Sequence, residues 1–375
     1  MLTRKFTGAW VLLATIALTA CGGGGGGGGG TSMAAGSTAP PTSVPTPPAS
    51  DPPASAPSID LSIYALQTQA ADPSYGSTQD AGAAEVQTYN YLNKIRLAAG
   101  AGALNQNIQL DAAGVAHANY NVLNTADRPY LLEAAGNPGF TGAGYADRQA
   151  AAGYGGMATS DGTAITDTAY LCGYLQMNSL YRMAELMDPS RAIGIGLQKD
   201  PGDSDSACVL ELGYAGAPQY GASGALVSYP YPNQTGVAAL YVPAHDAPRP
   251  LPSAPDILGQ PILASMSSLA VVTGDGSGKG SVDAFTLKDA GGNLVPAYLL
   301  VSSALATTSP DRVDDANIGR LRPYQAVLVP KKPLDYNAVY TVTFSGKFNG
   351  ISHTKTWSFT TTGCIFPTDS LSCWN

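Results

Sequence analysis

Charge is scarce in this chain. Only 12% of its 375 residues are Asp, Glu, Lys or Arg, and 19 basic residues face 27 acidic ones for a formal net charge of −8. So sparse a basic set forms no patch able to neutralise a phosphate backbone, which excludes nucleic acid as a partner. Histidine is scarcer still, with 3 residues. His245 lies in an Ala/Pro-rich stretch with no nucleophile pattern nearby, and no Gly-x-Ser-x-Gly elbow occurs, so a Ser/His/Asp hydrolase has no support. Residues 273–280 are glycine-rich but lack the pattern of a phosphate-binding loop. Thr273 stands where its first glycine belongs, and Gly280 where its final hydroxyl belongs. That stretch reads as a turn. Asp203 with Asp205, and Asp311 with Asp314 and Asp315, lack the spacing of a calcium loop and read as solvated turns.

Long apolar runs are missing as well. Residues 9–17 are largely apolar but fall short of the about 20 residues that cross a bilayer. Arg4 and Lys5 precede them; Leu18, Thr19, Ala20 and Cys21 follow. A charged start, a short apolar middle and small residues at the cut describe a secretory signal. The cysteine right behind that cut resembles the lipobox of bacterial lipoproteins. The resemblance implies a signal over residues 1–21, lipidation of Cys21 and a membrane held through an N-terminal lipid anchor. Gly22 after the cysteine resembles lipoproteins sent to the outer membrane, facing periplasm or exterior. Glycine, by contrast, is plentiful. It runs unbroken over residues 22–30, and Ser, Thr, Ala and Pro follow to about residue 57. This composition reads as a flexible root with a polyproline-stiffened stalk, and residues 22–81 are placed as a disordered linker.

Cysteine is limited to 5 residues. Setting Cys21 aside leaves Cys172, Cys208, Cys364 and Cys373, an even set that suits an oxidising compartment. Four cysteines allow three pairings. Cys172–Cys208 with Cys364–Cys373 is preferred, because each bridge then stays within one candidate domain and the second closes the tail at residues 363–375.

The first folded domain is placed at residues 82–252. A helix is read over residues 84–99 from Val86, Leu92, Ile95 and Ala99, stopped by Gly100 and Gly102. Asn107 caps a second helix with the stripe Leu110, Ala113, His117 and Tyr120. A short helix is read around Asp147–Ala152, ending at Gly153. Another helical stretch is read over about residues 166–187, halted by Asp188-Pro189. Residues 192–197 and 208–213 read as a strand hairpin, with a further strand near residues 225–229. Helices first and antiparallel strands later predict an α+β or αβα sandwich.

The ordered set of local motifs resembles the CAP superfamily of cysteine-rich secretory, antigen 5 and pathogenesis-related proteins. It comprises Asn93-Lys94-Ile95-Arg96, the run from Leu110 to Ala118 around His117, Phe140-Thr141-Gly142, Arg148 with Ala152-Gly153-Tyr154, and Tyr181 to Pro189 leading into Ile193-Gly194-Ile195-Gly196. The family's cleft carries two histidines and two acids. Here Leu131 and Leu132 precede Glu133 where a loop histidine belongs, Arg182 replaces the later histidine, and only Asp161 follows Gly153-Tyr154 as an acid. Zinc prefers imidazole and thiolate, so one histidine in the helical part makes no family-type metal site. No metal and no cofactor are expected.

Four residues are candidates for a polar cleft: His117, Glu133, Tyr181 and Arg182. His117 reads as a packed core histidine or a cleft group. Glu133 is either an exposed loop acid or a partner of His117 or Arg182. Arg182 either takes a carboxylate or phosphate in bidentate fashion or pairs with Glu185 or Asp188 on a solvated helix. Tyr181 is expected to pack in the core.

Residues 255–362 read as all-β. Apolar runs at residues 282–287, 295–301, 326–329, 339–344 and 356–361 alternate with Gly, Pro, Asn and Asp breaks. Asn349-Gly350 predicts a hairpin turn, and His353 after it reads as a solvated strand residue. The stretch from Pro333-Leu334 through Tyr340-Thr341-Val342 to Trp357-Ser358-Phe359 resembles bacterial Ig-like surface domains. The expected fold is therefore α+β, a CAP-like αβα sandwich followed by an all-β Ig-like sandwich. The resemblance implies a lipid-anchored protein that binds a lipid, amphiphile or cell-wall component without catalysis. Two alternatives remain: a diverged hydrolase using Glu133 and His117 as acid and base, and a structural spacer or adhesin.

Overall fold

The computed structural model describes residues 60–75, 79–125, 132–166, 171–202, 205–317 and 319–363. Cys21, Leu131, Asp203 and the Cys364–Cys373 pair lie outside the described residues. The described chain is mixed α+β, with 23% helix and 31% strand. Its first half contains α1 (Gln79–Ala99), β1 (Asn105–Gln106), α2 (Ile108–Leu123), α3 (Tyr145–Ala151), β2 (Ala158–Thr166), α4 (Cys172–Met177), α5 (Leu180–Leu186), β3 (Ala192–Lys199) and β4 (Ser206–Gly213). The four strands form one sheet in the order β1-β3-β4-β2. Only the short β1–β3 pairing is parallel.

Local chemistry sets several of these elements. Asn107 caps α2, its side chain accepting from the Gln109 and Leu110 amides. The predicted stripe Leu110, Ala113, His117 and Tyr120 is buried. Helix α2 lies directly on the sheet because glycines meet at the contact. A Cβ on Gly196 would fall 2.0 Å from the Gly114 carbonyl carbon, and one on Gly194 would fall 2.0 Å from that of Leu110. Buried Arg96 on α1 donates from Nε to Gly102 O (2.9 Å) and from Nη1 to Asp188 O (2.9 Å) and Leu186 O, tying α1 to the end of α5. Cys172 on α4 and Cys208 on β4 are disulfide-bonded with Cα atoms 5.9 Å apart and a sequence separation of 36. A loop of that size corresponds to about 4 kcal/mol in the chain-entropy account.

The second half contains β5 (Val227–Tyr229), β6 (Gln234–Val237), β7 (Ile262–Ser265), α6 (Ala270–Thr273), β8 (Gly280–Lys288), β9 (Ala297–Val301), β10 (Leu305–Ala306), β11 (Arg312–Asp314), β12 (Gln325–Pro330), β13 (Val339–Phe348) and β14 (Ile351–Thr361). Two five-stranded sheets result, ordered β10-β8-β13-β14-β6 and β11-β9-β12-β7-β5. Along β13, Tyr340, Val342 and Phe344 are buried while Thr341 and Thr343 are partly exposed, the alternation a half-buried strand requires. Asn349 and Gly350 take φ of 47° and 76°, as a tight β13–β14 hairpin needs.

Several expectations are corrected. The helix read over residues 166–187 is two short helices, broken at Asn178-Ser179, and residues 158–166 form the unforeseen edge strand β2. Ser179 restarts the helix by accepting from the Arg182 amide. The strand near residue 227 does not extend the first sheet; it pairs with β7. Residues 60–75, read as part of the linker, lie along the body instead. Ala103 N donates to Gln67 O at 2.7 Å, Tyr89 OH to Ala71 O at 2.9 Å, and Arg191 Nη2 to Ile63 O and Ala65 O at 2.8 Å each. One core cluster contains Leu92 and Met183 from the first half with Leu263, Leu300 and Val327 from the second.

His353 is fully buried, not solvated. Its Nδ1 lies 3.1 Å from Ile351 O and its Nε2 3.0 Å from Ser268 Oγ, so Nδ1 donates and Nε2 accepts. Burial pushes the imidazole below its ordinary value of 6.5. The folded protein then binds fewer protons than the unfolded chain. This contribution to stability is present above about pH 6.5 and is lost as pH falls toward the folded value.

Two outcomes are expected. Gly196→Ala forces α2 off the sheet and destabilises by about 3 kcal/mol, at the upper end of overpacking effects; urea unfolding measures it, and a loss within error would show that the helix yields freely. Between about pH 7.5 and pH 5.5 the wild-type urea midpoint should drop further than that of His353→Gln. Equal drops would remove His353 as the titrating group.

Candidate functional site

His117 projects from α2 and Glu133 from the loop before α3, and both are buried. His117 Nδ1 lies 2.9 Å from Glu133 Oε1. An ionised carboxylate only accepts, so Nδ1 carries the proton. The other Glu133 oxygen accepts from the Thr141 amide at 2.5 Å and the Gly142 amide at 3.2 Å, and Thr141 Oγ1 donates to Oε1 at 3.2 Å. Burial raises the Glu133 carboxyl, but the hydrogen bonds from His117, Thr141 and Gly142 outweigh it and the net shift is downward. One turn along α2, Tyr120 stacks on His117, and its hydroxyl accepts from Ala134 N (2.9 Å) and Asn137 Nδ2 (3.0 Å). Glu133 is thus a buried anchor for its loop, and neither an exposed acid nor a partner of Arg182.

Arg148, on α3, joins this pair to the sheet. Its Nη2 lies 2.5 Å from Asp161 Oδ2 on β2, and its Nε lies 3.9 Å from Glu133 Oε1 and 3.7 Å from Glu211 Oε1 on β4. All four residues are buried. Glu211 Oε2 also accepts from Gln149 Nε2 at 2.8 Å. Burial, and then the charge of Asp161, push the Glu211 carboxyl well above the ordinary range despite Arg148.

Helix α5 supplies the other two candidates. Arg182 Nη1 donates to Asp161 O (2.8 Å) and to Glu185 Oε2 (3.1 Å). The predicted Arg182–Glu185 pair therefore forms, but on a buried helix instead of a solvated one. Tyr181 is fully buried, and its hydroxyl donates to Asp315 Oδ1 at 2.6 Å and accepts from Asn317 Nδ2 at 2.7 Å. Asp315 is therefore no solvated turn residue. The same segment places Arg320 Nη1 3.2 Å from Glu185 Oε1 and Arg322 Nε 2.7 Å from Asp188 Oδ2. Burial raises the Glu185 carboxyl, opposed by Arg182 and Arg320.

Ser160, Asp161, Gly162, Gln176, Arg182 and Glu185 line much of a cavity of about 10 Å³. That volume holds about one water. The four predicted residues thus form two contacting groups, His117 with Glu133 and Tyr181 next to Arg182, linked through Arg148 and Asp161. Sequence reasoning quoted Arg148 only as part of a motif and assigned Glu211 and Arg320 no role. A basic residue inside a short apolar helix was the available signal for Arg148. Arg320 had none, because its partners are more than a hundred residues away in the chain.

No family model, no curated protein and no solved structure matches this chain. Among the described residues no group of three or more His, Cys, Asp and Glu is arranged to hold a metal ion, and no helix is long and apolar enough to cross a membrane.

Arg148→Met leaves Glu133, Asp161 and Glu211 without their shared cation. Urea unfolding near neutral pH should show a loss of about 3–5 kcal/mol. Lowering the pH to about 5 should narrow that loss, since the Glu211 carboxyl, which burial pushes upward, then protonates and removes one stranded negative charge. A loss that does not change with pH would mean that packing, not charge, is what Arg148 supplies.

Proposed function

We propose that this chain is a lipid-anchored protein of the bacterial envelope, with a CAP-like domain followed by an Ig-like β-sandwich, that binds an envelope component without catalysis. The sequence motifs around His117, Arg148 and Ile193-Gly194-Ile195-Gly196 support the CAP-like reading. A helix-covered mixed sheet carrying those motifs is consistent with it. The two five-stranded sheets of the second half support the sandwich reading.

The observation that carries the non-catalytic reading is the use made of Glu133. A general acid needs a proton to give and a path to substrate. This carboxyl is buried, held in its ionised form, and engaged by His117, Thr141 and Gly142. The water-sized space beside Arg182 holds about one water and admits no acyl chain. The 2.9 Å contact between His117 and Glu133 is the one observation that favours the hydrolase reading.

Three measurements test the proposal. Radiolabelled palmitate fed to cells should mark the full chain and not Cys21→Ala; label on both, or on neither, overturns the anchor. The Cys21→Ala chain, which carries no lipid, should sediment with purified cell-wall sacculi more than with phospholipid vesicles; sedimentation with neither overturns the binding reading. Release of soluble fragments from sacculi, lost in a Glu133→Gln variant whose melting temperature is unchanged, would replace that reading with the hydrolase.

A further inference from the structure

Arg320 lies between β11 and β12, yet its guanidinium rests on α5. Its Nη1 is 3.2 Å from Glu185 Oε1 and its Cζ is 5.1 Å from the centroid of the Tyr181 ring. A buried carboxylate on one side and an aromatic face on the other is an arrangement that recognises guanidinium and ammonium groups. Three observations distinguish it from an ordinary ion pair between surface side chains. Glu185 and Tyr181 are buried, whereas the Arg320 side chain keeps 22% of its exposure, so the contact is reached from solvent through the arginine itself. Glu185 also has Arg182 at 3.1 Å, so it keeps a counter-charge when Arg320 is gone.

The third observation is that Arg320 fills its seat incompletely. Its Nε is buried with no hydrogen-bond partner among the described residues, and the same holds for Nε2 of Gln176, which lines the adjoining cavity. Buried donors without acceptors disfavour the arrangement that contains them, and a better-fitting occupant relieves the cost. Charge points the same way. Without Arg320, the carboxylates of Glu185 and Asp315 outnumber the cation of Arg182 around this point, the Asp161 carboxylate being paired with Arg148.

We propose that Tyr181 and Glu185, with the Gln176-lined cavity behind them, form a binding subsite for the guanidinium or primary ammonium group of a ligand, occupied in cis by Arg320. The ligand class is a molecule bearing a cationic side chain, and the planar guanidinium that Arg320 presents is the better match. This deepens the binding reading and rests on it for its use in the envelope, while the subsite itself stands on the geometry around α5.

The test compares the full chain with Arg320→Ala and with Arg320→Ala combined with Glu185→Gln, each confirmed folded by near-ultraviolet circular dichroism. N-acetyl-arginine amide and N-acetyl-lysine amide are titrated calorimetrically, with the neutral isostere N-acetyl-citrulline amide as control. R320A is expected to bind the arginine probe at least about tenfold more tightly than wild type. Its melting temperature should rise with that probe and not with citrulline. Adding E185Q should abolish the gain, and the lysine arm reports whether ammonium substitutes for guanidinium. A folded R320A that binds arginine amide no better than wild type, or no better than citrulline amide, overturns the proposal. Should R320A not fold, Arg320→Ser is judged by the same criterion, and failure of both to fold means that Arg320 is an indispensable strut and not a displaceable occupant. Sacculus sedimentation is an independent readout, so loss of the binding reading and loss of this subsite are told apart.

Discussion

A guanidinium with no exposure to water governs the first half of this protein. Arg148 must be met by carboxylates, and those it meets come from a loop (Glu133), from β2 (Asp161) and from β4 (Glu211). Converging three separate elements on one side chain fixes their mutual positions. Buried ion pairs of this kind contribute little net stability, because desolvation offsets the attraction. What they supply is geometry: a shift of any one element strands a charge. Glu133 extends the constraint to α2 through His117, and Asp161 extends it to α5 through its carbonyl and Arg182. The polar residues that resemble a cleft are thus the internal frame of the fold, with Glu133 committed to His117, Thr141 and Gly142.

The second constraint is close approach. Helix α2 reaches the sheet because Gly114, Gly194 and Gly196 leave room for backbone against backbone. Its His117 face is thereby pressed into the interior, and only then can the imidazole reach Glu133. On the opposite side, the segment carrying Asp315, Arg320, Arg322 and Gln325 grips α5 and Asp188 by charge and hydrogen bonds. With a shared apolar core behind it, the second half contributes Arg320 to the surroundings of Glu185. A sequence boundary near residue 252 therefore does not correspond to a break in packing.

Much of the local structure was legible. Helix α2 was announced by Asn107 and a four-residue stripe, β13 by its alternation of apolar residues with threonine, and the β13–β14 turn by Asn349-Gly350. These signals act between near neighbours, within a helical turn or across a two-residue loop. Strand β2 was not legible: Asp161 and Gly162 are poor strand formers, held in place by pairing with β4 on one side. The break within residues 166–187 was hidden because Ser179 caps a helix only if the chain turns there, and Asp246, accepting from Leu180 N at 3.0 Å, helps hold that turn from far along the chain. His353 looked like a strand residue facing water because it comes just after the Asn349-Gly350 turn; the segment bearing Ser268 covers it.

By itself, then, the sequence determined the α+β character, the order of most helices and strands, the residues facing inward on α2 and β13, and which cysteines were available to pair. Local periodicity, caps and turn chemistry carry that information, since their energies depend on residues a few positions apart. Only the tertiary structure decided that His117 and Glu133 touch, that Arg148 is their link to Asp161, and that Arg320 rests on Glu185 and Tyr181. Those contacts arise where distant segments exclude water together, and a charge removed from water must take whatever partner the packing brings to it.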